Sequence, residues 1–473
     1  MRRRCVRGYH AAVPTALTLL LFVVLAVGCG PQPPPRNLLV IVIDTLRGDA
    51  LGLYGAAEGT SPNIDSLAEE SLVFDRAFAQ GTYTPSSFMS YMTSTWVRRH
   101  GWDYLLTLYP DSGVCGWDDL ETLSEVLQRN GFSTSALVSN HRLHPKLGFA
   151  RGFDFWNLRG VDADLPDKQK LLIDAFFFGD PQVVRGAIRE IDEWQPKQRN
   201  FLYVHLMAPH LPLEPSPEAV ASVGLEPDWA PQGKVTVRMS GQIGSDPTPE
   251  QRKMVLDGYR ASVHDGDRDF GRILDALDQA GHRDDTVVAF FSDHGEGMWE
   301  HDEYGHSRGV WEGLAHVPLM LRAAGIEPSR VRDHAVALID VAPTLLSLLG
   351  IREQPESWQG RNLLAPGDGR PVFTERFGSV GITIDGRIKA FFSPSKSAPG
   401  WSVFDLDQDP GEVAPIDAPR QQREFAIRWL RWNAQNPKVV RDRRAEPVGL
   451  CREMTEEDRK YQDEALRALG YLQ

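Results

Sequence analysis

The chain has 473 residues, 42% of them hydrophobic, so it can bury a large core and form more than one domain. Acidic residues outnumber basic ones by 64 to 51, and the formal net charge is −13. Net acidity without a basic run argues against nucleic-acid binding, and we expect no nucleic acid among the partners.

The amino terminus has the order of an export signal. Four arginines within residues 1–7 precede an apolar run over 11–28, and the small residues of 26–28 lead to Cys29. This stretch resembles a bacterial lipoprotein cleavage box, so we predict a signal peptide over 1–28 and a lipidated, proline-rich tether over 29–36. The alternative is an uncleaved transmembrane anchor.

Either alternative predicts that the body of the protein is exported and held at a bacterial membrane, on its periplasmic or cell-surface side. Removing the four signal arginines would leave 47 of the 51 basic residues against all 64 acidic ones. Cys115 and Cys451 would then be the remaining cysteines, and the sequence leaves open whether they pair.

The first predicted strand covers residues 38–43 and ends abruptly in Asp44. Strand-like and helix-like stretches alternate after it, at 66–70, 120–130, 133–138, 182–194 and 201–206. This alternation is typical of an α/β fold with a doubly wound, mostly parallel sheet sandwiched by helices. Residues 227–247, rich in Gly, Pro and Ser, are predicted to form a surface excursion near the active face.

A long helix is predicted to begin after Thr248. Pro249 at the first helical position and Gln251 three residues after Thr248 form a capping box, and apolar residues recur at helical spacing as far as Leu277.

The stretch 286–296 is a second buried strand that ends in acidic and polar residues. Six β-branched, aromatic or small residues precede Ser292, and Asp293 and His294 follow. Ligands bind at the carboxyl ends of the strands in open α/β sheets, so Asp44 can converge with this pair. Carboxylates beside an imidazole are typical metal ligands, and we predict a site for one cation.

Short strands at 371–374, 382–384, 387–392 and 402–406 precede a predicted helix over 419–433. We therefore predict a catalytic α/β domain over 37–370, a small carboxyl-terminal subdomain over 371–440 with an antiparallel sheet and one helix, and a tail over 441–473.

An ordered set of segments resembles the sulfatases of the alkaline phosphatase superfamily. The segments are 44–55 (DTLRGDALGLYG), 61–65 (SPNID), 292–296 (SDHGE), 316–319 (HVPL), 340–346 (DVAPTLL) and 404–412 (FDLDQDPGE). Residues 466–472 also resemble a tail common in bacterial members. The resemblance implies one divalent ion, calcium or magnesium, on Asp44, Asp293 and His294. Zinc or manganese is the alternative, because an Asp–His pair is not a purely oxygen donor set.

The nucleophile segment departs from the family pattern. Sulfatases carry Cys or Ser in a Cys-x-Pro-Ser-Arg context and convert it to formylglycine, whereas residues 82–94 are TYTPSSFMSYMTS. Counting back from the end of this segment places Thr84 at the nucleophile position, and counting from its Pro-Ser pair places Tyr83 there. We favour Thr84 as a nucleophile and metal contact that caps a helix over 85–95.

Histidines are predicted to complete the site. The resemblance implies that His141 and His210 contact the anion and that His306, where the family often has lysine, assists the leaving oxygen. His205 and His301 are predicted to be structural.

Two positive charges of the family motif are replaced. Phe88 or Ser87 stands at the motif arginine, and Ser139 stands at the motif lysine. The remaining histidines and the metal would have to stabilise the anion without them.

We therefore predict a metal-dependent sulfatase-family hydrolase that cleaves a sulfate or phosphate ester outside the cytoplasm. Its substrate would be a small anionic ester or a sulfated or phosphorylated glycan or lipid, and Cys29 would hold it to the lipid membrane. The alternatives are a phosphoethanolamine or glycerophosphate transferase and a catalytically degenerate binding protein. The sequence leaves the oligomeric state open.

Overall fold

The central strand of the molecule, Asn37–Ile43, is buried along its whole length. Its side chains alternate between two hydrophobic clusters, one on each face of the sheet. Leu38, Val40 and Val42 pack into the first cluster, and Leu39, Ile41 and Ile43 pack into the second. A strand covered on both faces is what a doubly wound sheet requires.

The computed structural model describes residues 34–57, 59–102, 119–140, 142–143, 145–158, 179–226, 247–302, 304–306, 309–366, 369–393 and 400–436. The predicted signal, Cys29, Cys115, His141, Cys451 and the 441–473 tail lie outside these residues, and so does most of the predicted 227–247 excursion. From Pro35 onward, the described residues belong to one compact unit.

The strands in chain order are β1 (Asn37–Ile43), β2 (Leu72–Phe74), β3 (Ala77–Phe78), β4 (Phe132–Val138), β5 (Phe155–Leu158), β6 (Arg199–Leu206), β7 (Thr286–Ser292), β8 (Gly297–Met298), β9 (Tyr304–Gly305), β10 (His316–Val317), β11 (Leu319–Arg322), β12 (Ser329–Val331), β13 (Val336–Ala337), β14 (Val372–Arg376), β15 (Ser379–Ile384), β16 (Ile388–Ser393) and β17 (Gly400–Asp405).

The α-helices are α1 (Pro62–Ala68), α2 (Thr84–Thr93), α3 (Val97–His100), α4 (Leu123–Arg129), α5 (Gly179–Asp192), α6 (Pro217–Ser222), α7 (Pro249–Gln279), α8 (Glu312–Ala315), α9 (Val341–Leu348) and α10 (Pro419–Gln435). Short 3₁₀ helices lie at Gly48–Ala50, Gly52–Tyr54, Pro145–Leu147, Glu300–Asp302 and Leu338–Asp340.

The main sheet has the strand order β12-β2-β11-β7-β1-β6-β4-β5 within the described residues. Neighbouring strands are parallel from β5 through β7, and β11 runs antiparallel to both of its neighbours. The predicted fold class, an α/β fold with a mostly parallel sheet, is confirmed. Because β1 lies between β6 and β7, the residues that follow these three strands meet at one edge.

The long helix α7 begins as the sequence predicts. The Thr248 side chain accepts a hydrogen bond from the backbone of Gln251, whose side chain in turn accepts one from the backbone N–H of Thr248, which completes the capping box. The helix packs mainly through its apolar face, and Phe270 contacts Phe290 on β7 with ring centroids 4.8 Å apart.

The predicted carboxyl-terminal sheet is also present. Strands β14 to β17 form an antiparallel sheet in sequential order, and α10 packs on it. Phe373 on β14 stacks on Trp432 of α10 with ring centroids 4.0 Å apart, and both rings contact Trp96 of the larger part. The domain division at residue 370 stays a prediction. None of the described helices has the length and apolar character needed to cross a membrane.

Candidate active site

Three potential metal ligands meet where β1 and β7 end. Asp44 directly follows β1, Asp293 and His294 directly follow β7, and the two strands are paired in parallel with Ile43 opposite Ser292. All three side chains are fully buried, and one ligand atom from each lies within 4.8 Å of the others. The structure thus brings together residues that are about 250 positions apart in the sequence.

The orientation of the three side chains fits a cation. Asp44 Oδ1 and Asp293 Oδ2 are buried and have no hydrogen-bond partner among the described residues. They lie 3.8 Å and 3.5 Å from His294 Nε2. His294 Nδ1 lies 2.9 Å from the carbonyl oxygen of Gly295 and can donate to it, which leaves Nε2 with a lone pair. Two unpaired carboxylate oxygens and one imidazole nitrogen therefore face a common point.

Electrostatics also favours a cation at this position. Burial opposes ionisation of Asp44, but the charge of His210 and the hydrogen bond with His205 hold the pKa of Asp44 well below its ordinary value. Burial and the charge of Asp44 raise the pKa of Asp293 well above its ordinary value. Burial also lowers the pKa of His294 well below its ordinary value, so this ring is neutral and able to coordinate a metal.

The structure places Thr84 beside these ligands. Its Oγ1 donates to Asp44 Oδ2 at 3.4 Å and lies 3.3 Å from His294 Nε2. Thr84 is the first residue of α2 rather than its cap, because Tyr83 occupies the N-cap position. The expectation that Thr84 caps a helix over 85–95 is therefore wrong. The helix begins one residue earlier, which leaves the Thr84 hydroxyl available to contact the acidic ligands.

His210 and His306 lie at the same edge of the sheet. The ring of His306 is 5.0 Å from that of His210 and 4.7 Å from that of His294, measured between centroids. His306 Nδ1 lies 2.9 Å from Glu296 Oε1. Burial lowers the pKa of His306 to about 4, and burial raises the pKa of Glu296 to about 8. His210 Nδ1 bonds the carbonyl oxygen of Leu211, and burial lowers its pKa too.

Sequence reasoning missed two residues that bond Asp44. Asn140 Nδ2 donates to Asp44 Oδ2 at 2.5 Å and to Thr84 Oγ1 at 3.2 Å. His205, predicted to be structural, has its Nε2 3.0 Å from the same carboxylate oxygen. Tyr203 OH lies 2.8 Å from His205 Nδ1 and so orients the ring. Asn140 follows β4 as Asp44 follows β1, and this shared position was the signal available in the sequence.

The positions of the two missing family charges are occupied by neutral contacts. Phe88 packs into an aromatic cluster, with its ring centroid 5.3 Å from that of Phe149 and 5.7 Å from that of Tyr203. Ser139 Oγ donates to Asp180 Oδ1 at 2.6 Å. Ser87 Oγ donates to the carbonyl oxygen of Asp293 at 2.6 Å, so α2 is hydrogen-bonded to the residues that follow β7.

The family model of sulfatases matches residues 36–351, about two thirds of the chain. The chain belongs to the sulfatase family. Membership makes this sulfatase-family protein an ester hydrolase, and the buried Asp–Asp–His cluster is its possible site for a divalent metal.

Among the curated relatives of this sulfatase-family chain, iduronate 2-sulfatase of Homo sapiens is 27% identical over 392 residues, covering 67% of this chain and 70% of the relative. An arylsulfatase of Clostridium perfringens is 24% identical over 389 residues, covering 69% of this chain and 77% of the relative.

Solved structures share the fold. One, in complex with its substrate D-glucosamine-2-N,6-O-disulfate, has a TM-score of 0.66 and 18% identity and covers 86% of this chain and 98% of its own. The phosphonate monoester hydrolase of Agrobacterium radiobacter has a TM-score of 0.64 and 20% identity and covers 85% of this chain and 96% of its own.

Proposed function

We propose that this chain is a metal-dependent hydrolase that cleaves a sulfate or phosphate ester with Thr84 at the nucleophile position. The observation that carries this proposal is the contact of Thr84 Oγ1 with both Asp44 and His294, at 3.4 Å and 3.3 Å. A hydroxyl held against a metal cluster at the carboxyl end of a sheet has the position that a nucleophile needs.

Asp44, Asp293 and His294 would hold the cation. A divalent cation bound there would lower the pKa of the Thr84 hydroxyl and neutralise the non-bridging oxygens of the ester. The first turn of α2 adds partial positive charge at the same point, because its backbone N–H groups are directed towards the helix start.

As Thr84 Oγ1 attacks the sulfur or phosphorus atom, its proton passes to Asp44 Oδ2, the oxygen to which it donates at 3.4 Å. The bond from sulfur or phosphorus to the leaving oxygen breaks. The leaving oxygen takes the proton of His306 Nε2, and the carboxyl proton of Glu296 moves to His306 Nδ1 across their 2.9 Å contact. The raised pKa of Glu296, caused by burial, keeps that proton available at neutral pH. Water then attacks the same sulfur or phosphorus atom, and the bond to Thr84 Oγ1 breaks. Oγ1 takes its proton back from Asp44, one water proton returns to Glu296, and the anion leaves with the hydroxyl.

His210 would position the anion, and His141, outside the described residues, would do the same. A sulfated glycan is our proposed substrate class, because the curated relatives include an iduronate 2-sulfatase and an N-sulphoglucosamine sulphohydrolase of Homo sapiens. A phosphate or phosphonate ester is the alternative, favoured by the threonine nucleophile and by the fold shared with phosphonate monoester hydrolases.

The test is turnover of an aryl sulfate, a phosphomonoester and a phosphodiester by purified protein, with the metal content measured by elemental analysis. Thr84→Ala should lower kcat at least about a hundredfold for the substrate that wild type cleaves. Thr93→Ala is the matched control, because Thr93 is equally buried on the same helix and bonds Met89 O within α2. Unchanged turnover in Thr84→Ala would refute the role of Thr84.

We further propose export and lipid attachment at Cys29, from the small residues that precede this cysteine and the apolar run before them. Expression in a bacterium with labelled fatty acid should give a labelled, membrane-bound protein. Cys29→Ser should abolish the label. A labelled Cys29→Ser protein, or an unlabelled wild type, would contradict the proposal.

A further inference from the structure

A buried arginine of the small sheet lies next to the nucleophile segment. Arg376 is the last residue of β14, and its side chain is 1% exposed, which makes it the largest fully buried side chain among the described residues. Arginine is rarely buried in this way unless its guanidinium is paired, because removal of a guanidinium from water is strongly unfavourable. Neither the family motif nor the sequence pattern singled it out.

Hydrogen bonds from β14 to the backbone of residues 79 and 80 hold Arg376 in this position. Thr374 Oγ1 donates to Ala79 O at 2.7 Å, and Glu375 N donates to Gln80 O at 2.9 Å, so β14 is joined to the segment that leads into α2. Arg376 thereby comes to lie over the Tyr83 ring, with Cζ 4.6 Å from the ring centroid. Tyr83 directly precedes Thr84, so the arginine is fixed relative to the proposed nucleophile.

The following turn strengthens this placement. Phe377 has a φ of 51°, a left-handed conformation that is unfavourable for a residue with a side chain. Its ring centroid lies 4.3 Å from Arg376 Cζ. Rings contact the flat faces of the guanidinium, whereas the N–H groups of a guanidinium lie along its edge, in the plane in which carboxylates and phosphates bind.

The charge of Arg376 is felt at the site. Arg376 and Arg142 both lie close enough to His306 for their charges to act on its ring. His306 is the proposed proton donor to the leaving oxygen. Arg376 therefore stacks on the residue that precedes Thr84 and lies near His306. Thr84 and His306 are the two groups proposed to act on either side of the bond to be broken.

We propose that the Arg376 guanidinium binds an oxygen of the tetrahedral anion, the sulfate or phosphate group of the substrate. This inference rests on the proposed ester hydrolysis. It assigns to the small sheet the fixed positive charge that Phe88 and Ser139 do not provide at the two family positions. A charge supplied from a different element conserves the chemistry, because an anion requires a donor at the right point in space and not at a given sequence position.

The experiment measures binding of inorganic phosphate and inorganic sulfate to the metal-loaded full chain by isothermal titration calorimetry. Arg376→Gln should raise the dissociation constant of the anion that wild type binds at least about tenfold, since a charged donor is lost. Arg98→Gln is the matched control. Arg98 is a second buried arginine and is 6% exposed. It pairs with Glu375, the residue before Arg376, at 2.5 Å.

The control should lower the melting temperature and leave the anion dissociation constant within about twofold of wild type. An Arg376→Gln protein that binds the anion as wild type does would overturn the inference, and so would a wild type that binds neither anion. Should Arg376→Gln fail to fold, Arg376→Lys decides. It should bind the anion measurably less tightly, because lysine lacks the planar fork, and wild-type affinity would refute the role.

Failure of the proposed function is seen separately. A metal-loaded wild type that turns over none of the three esters contradicts hydrolysis by Thr84, whatever the anion affinities of the Arg376 variants are.

Discussion

Asp293→Asn should stabilise the metal-free protein and weaken its binding of metal, two effects of opposite sign from one substitution. The ligand atoms of Asp44 and Asp293 are buried and lie within 4.8 Å of each other. If both carboxylates were ionised, they would repel by about 3 kcal/mol at an effective dielectric constant of about 20, so the folded wild type must either bear this repulsion or keep a proton on Asp293. Asparagine keeps the shape and is neutral without taking up a proton, so the metal-free variant should unfold at higher denaturant concentration.

The advantage of asparagine should grow with pH. Burial and the charge of Asp44 raise the pKa of Asp293 in the folded protein well above the ordinary value of 3.8. Below pH 3.8 both the folded and the unfolded chain hold this proton. As the pH rises above 3.8, the unfolded chain releases it and the folded chain does not, so the free energy of unfolding of wild type falls. Asp293→Asn has no titrating proton at this position, so its free energy of unfolding does not fall in this way.

Metal reverses the order. Wild type binds a cation with two carboxylates and one imidazole, whereas the variant replaces one carboxylate by a neutral amide. We expect the dissociation constant of the preferred metal to rise at least tenfold, and saturating metal to stabilise wild type more than the variant, by RT ln(1 + [L]/Kd). The assay is urea unfolding followed by circular dichroism, at pH 6 and pH 8, in chelator and in excess metal.

A buried carboxylate that lies elsewhere provides the control. Asp340 is fully buried, bonds Arg370, and accepts a hydrogen bond from Arg361 N at 2.8 Å. Asp340→Asn should therefore destabilise the protein equally with and without metal. The reasoning about Asp293 is refuted if Asp293→Asn is less stable than wild type in chelator at pH 8, or if it binds the metal as tightly as wild type.

Three further substitutions test other parts of the structure. Lys389→Met should lower the free energy of unfolding by about 3 to 5 kcal/mol at neutral pH, because Lys389 Nζ pairs with the buried carboxylate of Glu412 at 2.9 Å. This loss should be smaller in acid, where Glu412 is protonated. Gly295→Ala should abolish metal-dependent stabilisation, since a Cβ would lie 2.0 Å from Gly313 O. Tyr203→Phe should lower kcat severalfold, because it removes the hydroxyl that orients the His205 ring beside Asp44. The free energy of unfolding should change by about 1 kcal/mol.

The first two of these substitutions have a matched control, and all three have a result that contradicts them. Arg387→Met removes an exposed ion pair with Asp405 and should leave the denaturation midpoint almost unchanged. A similar loss of unfolding free energy in Lys389→Met and Arg387→Met would mean that the burial of Lys389 is irrelevant. Gly411→Ala should be tolerated, because its Cβ would meet nothing nearer than 3.5 Å, and metal-dependent stabilisation retained in Gly295→Ala would argue against the close packing there. Wild-type kcat in Tyr203→Phe would show that its hydroxyl does not orient the ring.

Much of the fold was predictable because its signals are local. The strand predicted over 286–291 is Thr286–Ser292 in the structure, and the helix predicted over 419–433 is Pro419–Gln435. Apolar runs and cap residues act within a few positions of the chain, so a pattern reveals them. The start of α2 was missed by one residue and its end by two. Tyr83 rather than Thr84 takes the cap conformation, which a short run of Thr, Tyr and Pro does not distinguish.

Two acids that end buried strands were enough for the sequence alone to predict a metal site, because the alternation of strands and helices fixes where parallel strands finish. What surrounds those acids was decided by the strand order. His205 bonds Asp44 because β6 pairs directly with β1, with Val42 opposite His205. Arg376 reaches Tyr83 because β14 docks on the segment before α2. Contacts between elements that are far apart in the chain depend on this packing, and no local pattern of residues encodes which elements become neighbours.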